Sequence, residues 1–313
     1  MKPKCLIMAA SGERSFTVGQ VEELKKHLDT VFLEILNPLD AEEFIRLAFD
    51  AEILAMTRRP LNDLDEKIIK SLPNLKALAI YSTGYEWLDL KALREKGILV
   101  SYLPDYCTVS VAEHTLAMVL TMSRRTHLSY DKARGIIPDN ISLRGFELRG
   151  KDIGIIGLGR IGSEVAKMMK ALQTNVSFFD IRDIPDPAAD YKPRNKLLEE
   201  SDIVILTCSK MRDEAPVIAG NELSMMKRNA VLINPARSDL VDNADIFMAL
   251  KEKKLMGYAV DNYIGDFSEG LDYGRILQTG HTAWYSTEAI ERGTSQWVEN
   301  IIGLSGSSPI NLI

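Results

Sequence analysis

Cysteine, histidine and clustered basic charge are the scarce ingredients of this 313-residue chain. Its three cysteines, Cys5, Cys107 and Cys208, stand far apart, in odd number and without a CxxC pair. That excludes a disulfide framework and a zinc ribbon, predicts no metal site, and fits a reducing cytoplasm. No window approaches the roughly 18 uninterrupted apolar residues of a membrane span. The apolar run in MKPKCLIMAASGER meets charged residues too early for a signal peptide and reads as a first strand. Basic residues cluster no further than pairs such as Arg124-Arg125, and the net charge is −6, which argues against a nucleic-acid partner. Neither a fixed-period repeat nor a low-complexity segment is present. The expectation is a soluble cytoplasmic protein.

What is present is ordinary globular material, 46% hydrophobic and 26% charged. The length exceeds one ordinary core and predicts two domains. The first hundred residues alternate strands at Cys5–Ala9, Val31–Leu36, Ala51–Ala55 and Leu75–Ile80 with helices at Val18–His27, Ala41–Ala48 and Leu61–Leu72. This rhythm implies a parallel sheet covered by helices. A long, mostly apolar helix spans 109–125, and a polar stretch, Ser129–Leu148, follows it. A second series then begins, with strands at Asp152–Ile156, Val176–Asp180, Ile203–Thr207, Ala230–Asn234, Met256–Asp261 and Ile276–His281. Helices at Ile161–Leu172 and Asp242–Lys251 fill two of the gaps. The fold class read from this is α/β: two Rossmann-like or flavodoxin-like doubly wound parallel-sheet domains with a cleft between them. The boundaries fall at 1–103 plus 286–313 for one domain and 104–285 for the other.

The second series opens on Gly157-Leu158-Gly159-Arg160-Ile161-Gly162, placed between an apolar strand and a helix. In that context Gly157 permits the tight turn, Gly159 lets backbone approach a pyrophosphate, and Gly162 lets helix and strand pack closely. The helix N-terminus then receives the phosphate charge. Asp180 ends the next strand, 18 residues after Gly162. An acid there accepts bonds from ribose hydroxyls and repels a 2′-phosphate, which favours NAD over NADP. Arg182, two residues later, weakens that preference.

Four further stretches extend the picture in order: Tyr81–Tyr85, NPARSDLVD at Asn234–Asp242, GYAVD at Gly257–Asp261 and HTAWYS at His281–Ser286. With the glycine loop they resemble the D-isomer-specific 2-hydroxyacid dehydrogenases, nearest the D-lactate dehydrogenase branch. The resemblance runs from about Leu75 to Thr287, whereas the first seventy residues match only in style. It implies reversible hydride transfer between NADH and a small 2-oxo acid. Such chemistry needs a cation for the carboxylate, a proton donor and a partner that tunes the donor. A guanidinium suits the first role and an imidazole the second, with a carboxylate keeping the imidazolium available.

The resemblance places these roles on Arg237, His281 and Asp266. Asp266 stands where the family usually has Glu, with a reach shorter by roughly 1.3–1.5 Å, and Glu269 is the alternative carboxylate. Around the cofactor the resemblance implies Arg160, Ile161, Thr207, Cys208, Asn234 and Ala236, with Asp261 holding the carboxamide. Ser209 and Gly280 stand where the family has proline. On the substrate side it implies Thr83 and Gly84, with Arg237, Tyr106 and Trp284. Tyr106 either walls off an apolar substituent or bonds a polar one, and Trp87 reads equally as core or pocket. His27 and His127 read as exposed helix-end residues, and His114 as packing within the long helix.

The resemblance further implies a homodimer, with Ser129–Leu148 as a candidate contact, and hinges near 101–106 and 283–288. Two other readings stay open. One is an NAD(H)-sensing binding protein with little turnover; the other is a dehydrogenase of another small anion, of the formate or phosphite type.

Overall fold

The computed structural model describes residues 2–182, 184–210, 214–266, 271, 273–306 and 308–313. It divides into two units, one made of Met1–Cys107 with Thr287–Ile313 and the other of Thr108–Ser286.

The first unit begins β1 (Lys4–Ala9), α1 (Val18–His27), β2 (Asp29–Glu34), α2 (Ala41–Ala48) and β3 (Ile53–Met56). It continues α3 (Glu66–Lys70), β4 (Ala77–Ile80), α4 (Leu90–Glu95) and β5 (Leu99–Ser101). Its sheet has the order β2-β1-β3-β4-β5 with parallel neighbours, the flavodoxin-like arrangement. Strands β3 (ILAM) and β4 (ALAI) are buried along their whole length, as expected of strands covered on both faces.

The second unit opens with α5 (Thr108–Arg124), α6 (Thr126–Ala133), β6 (Asp152–Ile156), α7 (Arg160–Ala171), β7 (Asn175–Phe179) and β8 (Asp190–Tyr191). It goes on through α8 (Arg194–Glu200), β9 (Ile203–Leu206), α9 (Gly220–Met225) and β10 (Val231–Asn234). It ends with α10 (Asn243–Lys251), β11 (Gly257–Val260) and β12 (Ile276–Gln278). The order β12-β11-β10-β9-β6-β7-β8 is doubly wound, with the switch point beside β6. The chain then re-enters the first unit as α11 (Thr287–Ser305).

Four local readings are corrected. The helix expected over Leu61–Leu72 is only Glu66–Lys70, because Asp65 caps it by accepting from the Ile68 N–H at 2.9 Å. Leu61 and Leu64 still reach the core, but from non-helical chain. Ser129–Leu148 begins inside a helix, α6, which starts after Arg125 takes a left-handed φ of 53°. His127 is half-buried rather than exposed; burial, then the charge of Arg125, lowers its pKa. The last strand stops at Gln278, so His281 lies on a turn beyond it. No described helix is long and apolar enough to cross a membrane.

Helix α11 closes the first unit's core. Trp297 is buried, donates from its indole N–H to the Ala79 carbonyl at 3.0 Å, and stacks on Phe16. Trp297→Ala is expected to destabilise the protein by about 3–5 kcal/mol. Trp297→Phe, which keeps most of the packing but not the donor, should cost about 1–3 kcal/mol. Urea unfolding followed by circular dichroism checks both.

Candidate active site

A parallel sheet delivers the carboxyl ends of all its strands to one edge, and in the second unit that edge gathers the chemistry-bearing residues. The glycine loop follows β6, Asp180 follows β7, and Thr207 and Cys208 follow β9. Arg237 lies just beyond β10, Asp261 and Asp266 beyond β11, and His281 beyond β12. Backbone bonds from the Asp261 N–H to the Asn234 carbonyl, and from the Thr279 N–H to the Val260 carbonyl, carry the ladder past the strand ends (both 3.0 Å).

The three glycines do different work. Gly157 has φ +95°, and a Cβ there would lie 2.6 Å from the Cys208 backbone. A Cβ on Gly162 would run into the Gly157 carbonyl oxygen, which also accepts from Thr207 Oγ1 at 2.6 Å. Gly159 is open: the nearest atom to its would-be Cβ is Arg182 Nη2 at 4.0 Å. Gly159 is also the N-cap of the twelve-residue α7 and offers no capping side chain. The helix thus starts beside that open space with no side-chain cap on its first turn, as an anion-binding helix N-terminus requires. Burial pushes the Cys208 thiol up to about 11, so it is neutral near pH 7 and packs as a small apolar group.

Asp180 is nearly saturated. Its Oδ2 accepts from the Leu158 N–H (2.7 Å) and Arg182 Nη2 (3.2 Å), and its Oδ1 from the Arg182 N–H (2.9 Å) and Nε (3.1 Å). The carboxylate side chain is 6% exposed and the guanidinium 62%. Burial raises the Asp180 pKa, but the hydrogen bonds from Arg182 and Leu158 and the Arg182 charge outweigh it, and the net shift is downward. A ribose reaching this acid must displace or share Arg182, an interaction sequence reading noted only as a reservation about cofactor choice.

Beyond β10, Asn234 is fully buried and organises the turn that carries Arg237. Its Nδ2 donates to the Arg237 carbonyl (2.7 Å) and the Tyr258 hydroxyl (3.1 Å), and its Oδ1 accepts from the Ala236 N–H (3.1 Å). The Arg237 guanidinium donates back to the Ala236 carbonyl at 3.1 Å. Asn234 and Ala236 thus shape the Arg237 turn.

Asp261 is 2% exposed and committed to the histidine turn. Oδ1 accepts from Thr279 Oγ1 (2.6 Å) and the Thr282 N–H (2.8 Å), and Oδ2 accepts from the Ala283 N–H (2.8 Å). His281 stands at φ +58° immediately before these two amides, a left-handed conformation unusual for a residue with a side chain. Trp284 closes the turn by donating its indole N–H to the His281 carbonyl at 3.0 Å. The imidazole belongs to an exposed residue. Asp266 is exposed and follows a loop that Gln278 clamps. Gln278 Oε1 accepts from the Ile264 N–H (2.7 Å), and its Nε2 donates to the Gly265 carbonyl (2.9 Å). Glu269, the alternative carboxylate, lies outside the described residues. Gln278 and Thr279 were not singled out from sequence; two polar residues ending an otherwise apolar strand were the available signal.

Thr83, Gly84 and Tyr106 belong to the first unit. The Gly84 N–H is engaged by Ser82 Oγ at 3.1 Å, and Thr83 Oγ1 lies 3.6 Å from Cys107 Sγ. For Gly84 to hold a carboxylate, its amide must exchange that partner. Tyr106 is buried and packs edge-on against Tyr81, whose ring meets Trp297 and whose hydroxyl donates to the Ile290 carbonyl. Trp87 is core, 1% exposed, with its indole N–H on the Gly84 carbonyl.

A glycine cradle opening a helix, an acid after the next strand, and arginine, carboxylate and histidine beyond three adjacent strands define a nicotinamide-dependent oxidoreductase. Comparison with known proteins gives the family. Residues 116–283, over half of the chain, match the family described as D-isomer specific 2-hydroxyacid dehydrogenase, NAD binding domain. A glyoxylate reductase of Thermofilum pendens is 31% identical over 307 residues, covering 93% of this chain and 89% of its own. D-lactate dehydrogenase kk1H of Curvularia clavata is 31% identical over 250 residues, covering 72% of this chain and 71% of its own. The crystal structure of a D-lactate dehydrogenase from Aquifex aeolicus, complexed with NAD and lactic acid, superposes with TM-score 0.80 at 25% identity, covering 96% and 95% of the two chains. The chain belongs to the D-isomer-specific 2-hydroxyacid dehydrogenases and is an NAD-dependent oxidoreductase.

Two outcomes follow from this geometry. Gly162→Ala should destabilise the fold because the added methyl meets backbone. Gly159→Ala should leave the melting temperature nearly unchanged and weaken NADH binding at least tenfold, as read by fluorescence titration. The depressed Asp180 pKa contributes stability that is present above the unfolded carboxylate value near 3.9 and lost as pH falls through the lower folded value. The melting-temperature gap between the native protein and Asp180→Asn should therefore be constant from pH 5 to 7 and close below about pH 4.

Proposed function

We propose that the chain reduces a small 2-oxo acid to the D-2-hydroxy acid with NADH, and runs the reaction in reverse with NAD. The observation carrying this reading is the order of residues along the carboxyl edge of the second sheet. Asp180, the glycine cradle and Thr207 follow β7, β6 and β9, while Arg237, Asp261 and His281 follow β10, β11 and β12. An extended dinucleotide spanning the first group leaves its reactive end beside the second.

The bound cofactor supplies the hydride. The amides at the start of α7 would hold its pyrophosphate, and Asp180, once it shares or releases Arg182, would hold the adenosine ribose. Arg237 then pairs with the substrate carboxylate, a role its permanent charge and planar fork suit. His281 donates a proton from its imidazolium to the carbonyl oxygen as the hydride arrives at C2, and recovers that proton from solvent. A carboxylate from Asp266 or Glu269 keeps the imidazolium charged. Thr83, Gly84, Tyr106 and Trp284 are assigned to the substrate's remaining surface. The glyoxylate reductase and D-lactate dehydrogenase relatives support two- and three-carbon 2-oxo acids, glyoxylate and pyruvate, as the first candidates.

NADH oxidation against a panel of 2-oxo acids is expected to show saturable turnover. His281→Ala should lower kcat by about two to four orders of magnitude with NADH binding retained. An undiminished rate removes His281 from the proton-donor role. Tight NADH binding with no turnover on any acid would instead support the NAD(H)-sensing alternative.

A further inference from the structure

We infer that His114, on α5, is a positioning residue that sets the His281 turn through Thr279 and Asp261. The inference rests on the reading of His281 as proton donor. His114 Nε2 lies 3.2 Å from Thr279 Oγ1, and Thr279 Oγ1 lies 2.6 Å from Asp261 Oδ1. A buried ionised carboxylate can only accept, so the single hydroxyl hydrogen of Thr279 goes to Asp261. The Thr279 oxygen therefore has only lone pairs to offer His114, and Nε2 must carry the hydrogen in that bond. This fixes the donor atom of the ring whatever the state of Nδ1. Nε2 is also 3.8 Å from Asp261 Oδ1, so its N–H points toward the side of the carboxylate that Thr279 occupies.

The chain of bonds is directional and ends on the catalytic turn. His114 holds the hydroxyl, the hydroxyl holds Oδ1, and the two carboxylate oxygens hold the Thr282 and Ala283 amides. Those amides follow His281, whose left-handed φ of 58° persists only while neighbouring bonds enforce it. Removing the His114 donor leaves a lone pair of the Thr279 oxygen unmatched and takes one restraint off the hydroxyl that holds Asp261. Every group in the path lies in the second unit, and His114 is partly buried, its side chain 23% exposed.

The chemistry of the ring dictates the test. A Gln side-chain amide places its nitrogen near the position of Nε2 and can donate to Thr279; an Asn amide mimics Nδ1 and falls short. Amide hydrogen exchange at Thr282 and Ala283, measured on the whole protein, should accelerate about tenfold in His114→Leu and His114→Asn, the scale of one lost hydrogen bond. It should return to within about threefold in His114→Gln. Thr279→Val, which removes the relay hydroxyl without touching α5, should accelerate the same two amides, and serves if His114→Leu folds poorly. In turnover, kcat should fall about tenfold in the Leu, Asn and Val variants, with KM for NADH unchanged and kcat recovered by Gln. Unchanged exchange at both amides in His114→Leu and Thr279→Val overturns the inference. Equal losses in the Gln and Asn variants overturn it too, because a packing role does not distinguish them. Faster exchange with unchanged kcat supports the relay and overturns His281 as proton donor.

Discussion

A carboxylate shut away from water must be compensated by donors, and at Asp261 the donors are the segment that carries the candidate acid. Two backbone amides and one hydroxyl converge on it, so the cost of burying the charge is offset only when residues 279–283 are folded in one way. The rest of the edge follows the same logic on a smaller scale. Buried Asn234 fixes the Arg237 turn, Gln278 fixes the loop before Asp266, and Thr207 fixes the glycine turn. Each reactive side chain stands on a loop, and each loop is held by a polar side chain at the end of a strand. The sheet supplies the rigidity and these clamps transmit it.

The electrostatics divide the edge into two regimes. On the β7 side, Asp180 is held by a mostly exposed guanidinium that solvent and salt can compete for. On the β11 side, Asp261 is sealed, and the donors bonded to it are two backbone amides and a hydroxyl. A ligand group can therefore rearrange the first acid, whereas the second serves as fixed framework. The resemblance had given Asp261 a direct role toward the carboxamide; in the structure, its oxygens are largely engaged by the protein itself.

The architecture and the edge residues were legible in the sequence because apolar strands and glycine spacing are local signals. Two doubly wound sheets, the strand before Gly157 and the helix after it all follow from runs of four to six residues. The misreadings come from tertiary choices. Asp65, as N-cap, delayed the start of a helix that apolar periodicity alone would have begun at Leu61, and the side chain of Gln278 was recruited by the Ile264–Gly265 loop. His114 looked like packing since its partner is 165 residues away. Such long-range polar pairs leave no trace in spacing. Tyr106 and Trp87 were ambiguous for a similar reason: an aromatic residue near a loop carries the same letters whether its ring fills core or faces substrate.

The first unit is built from two stretches of chain separated by the whole of the second. Its sheet is complete by Ser101, yet Trp297 and the helix that seats it are translated only after the whole of the second unit. On the ribosome, the apolar strands β3 and β4 wait for more than two hundred residues before their cover arrives. The second unit has every element of its own by Ser286 and can close first. The sheet made before the second unit is therefore completed after it, and in the interval it is open to chaperones and to aggregation.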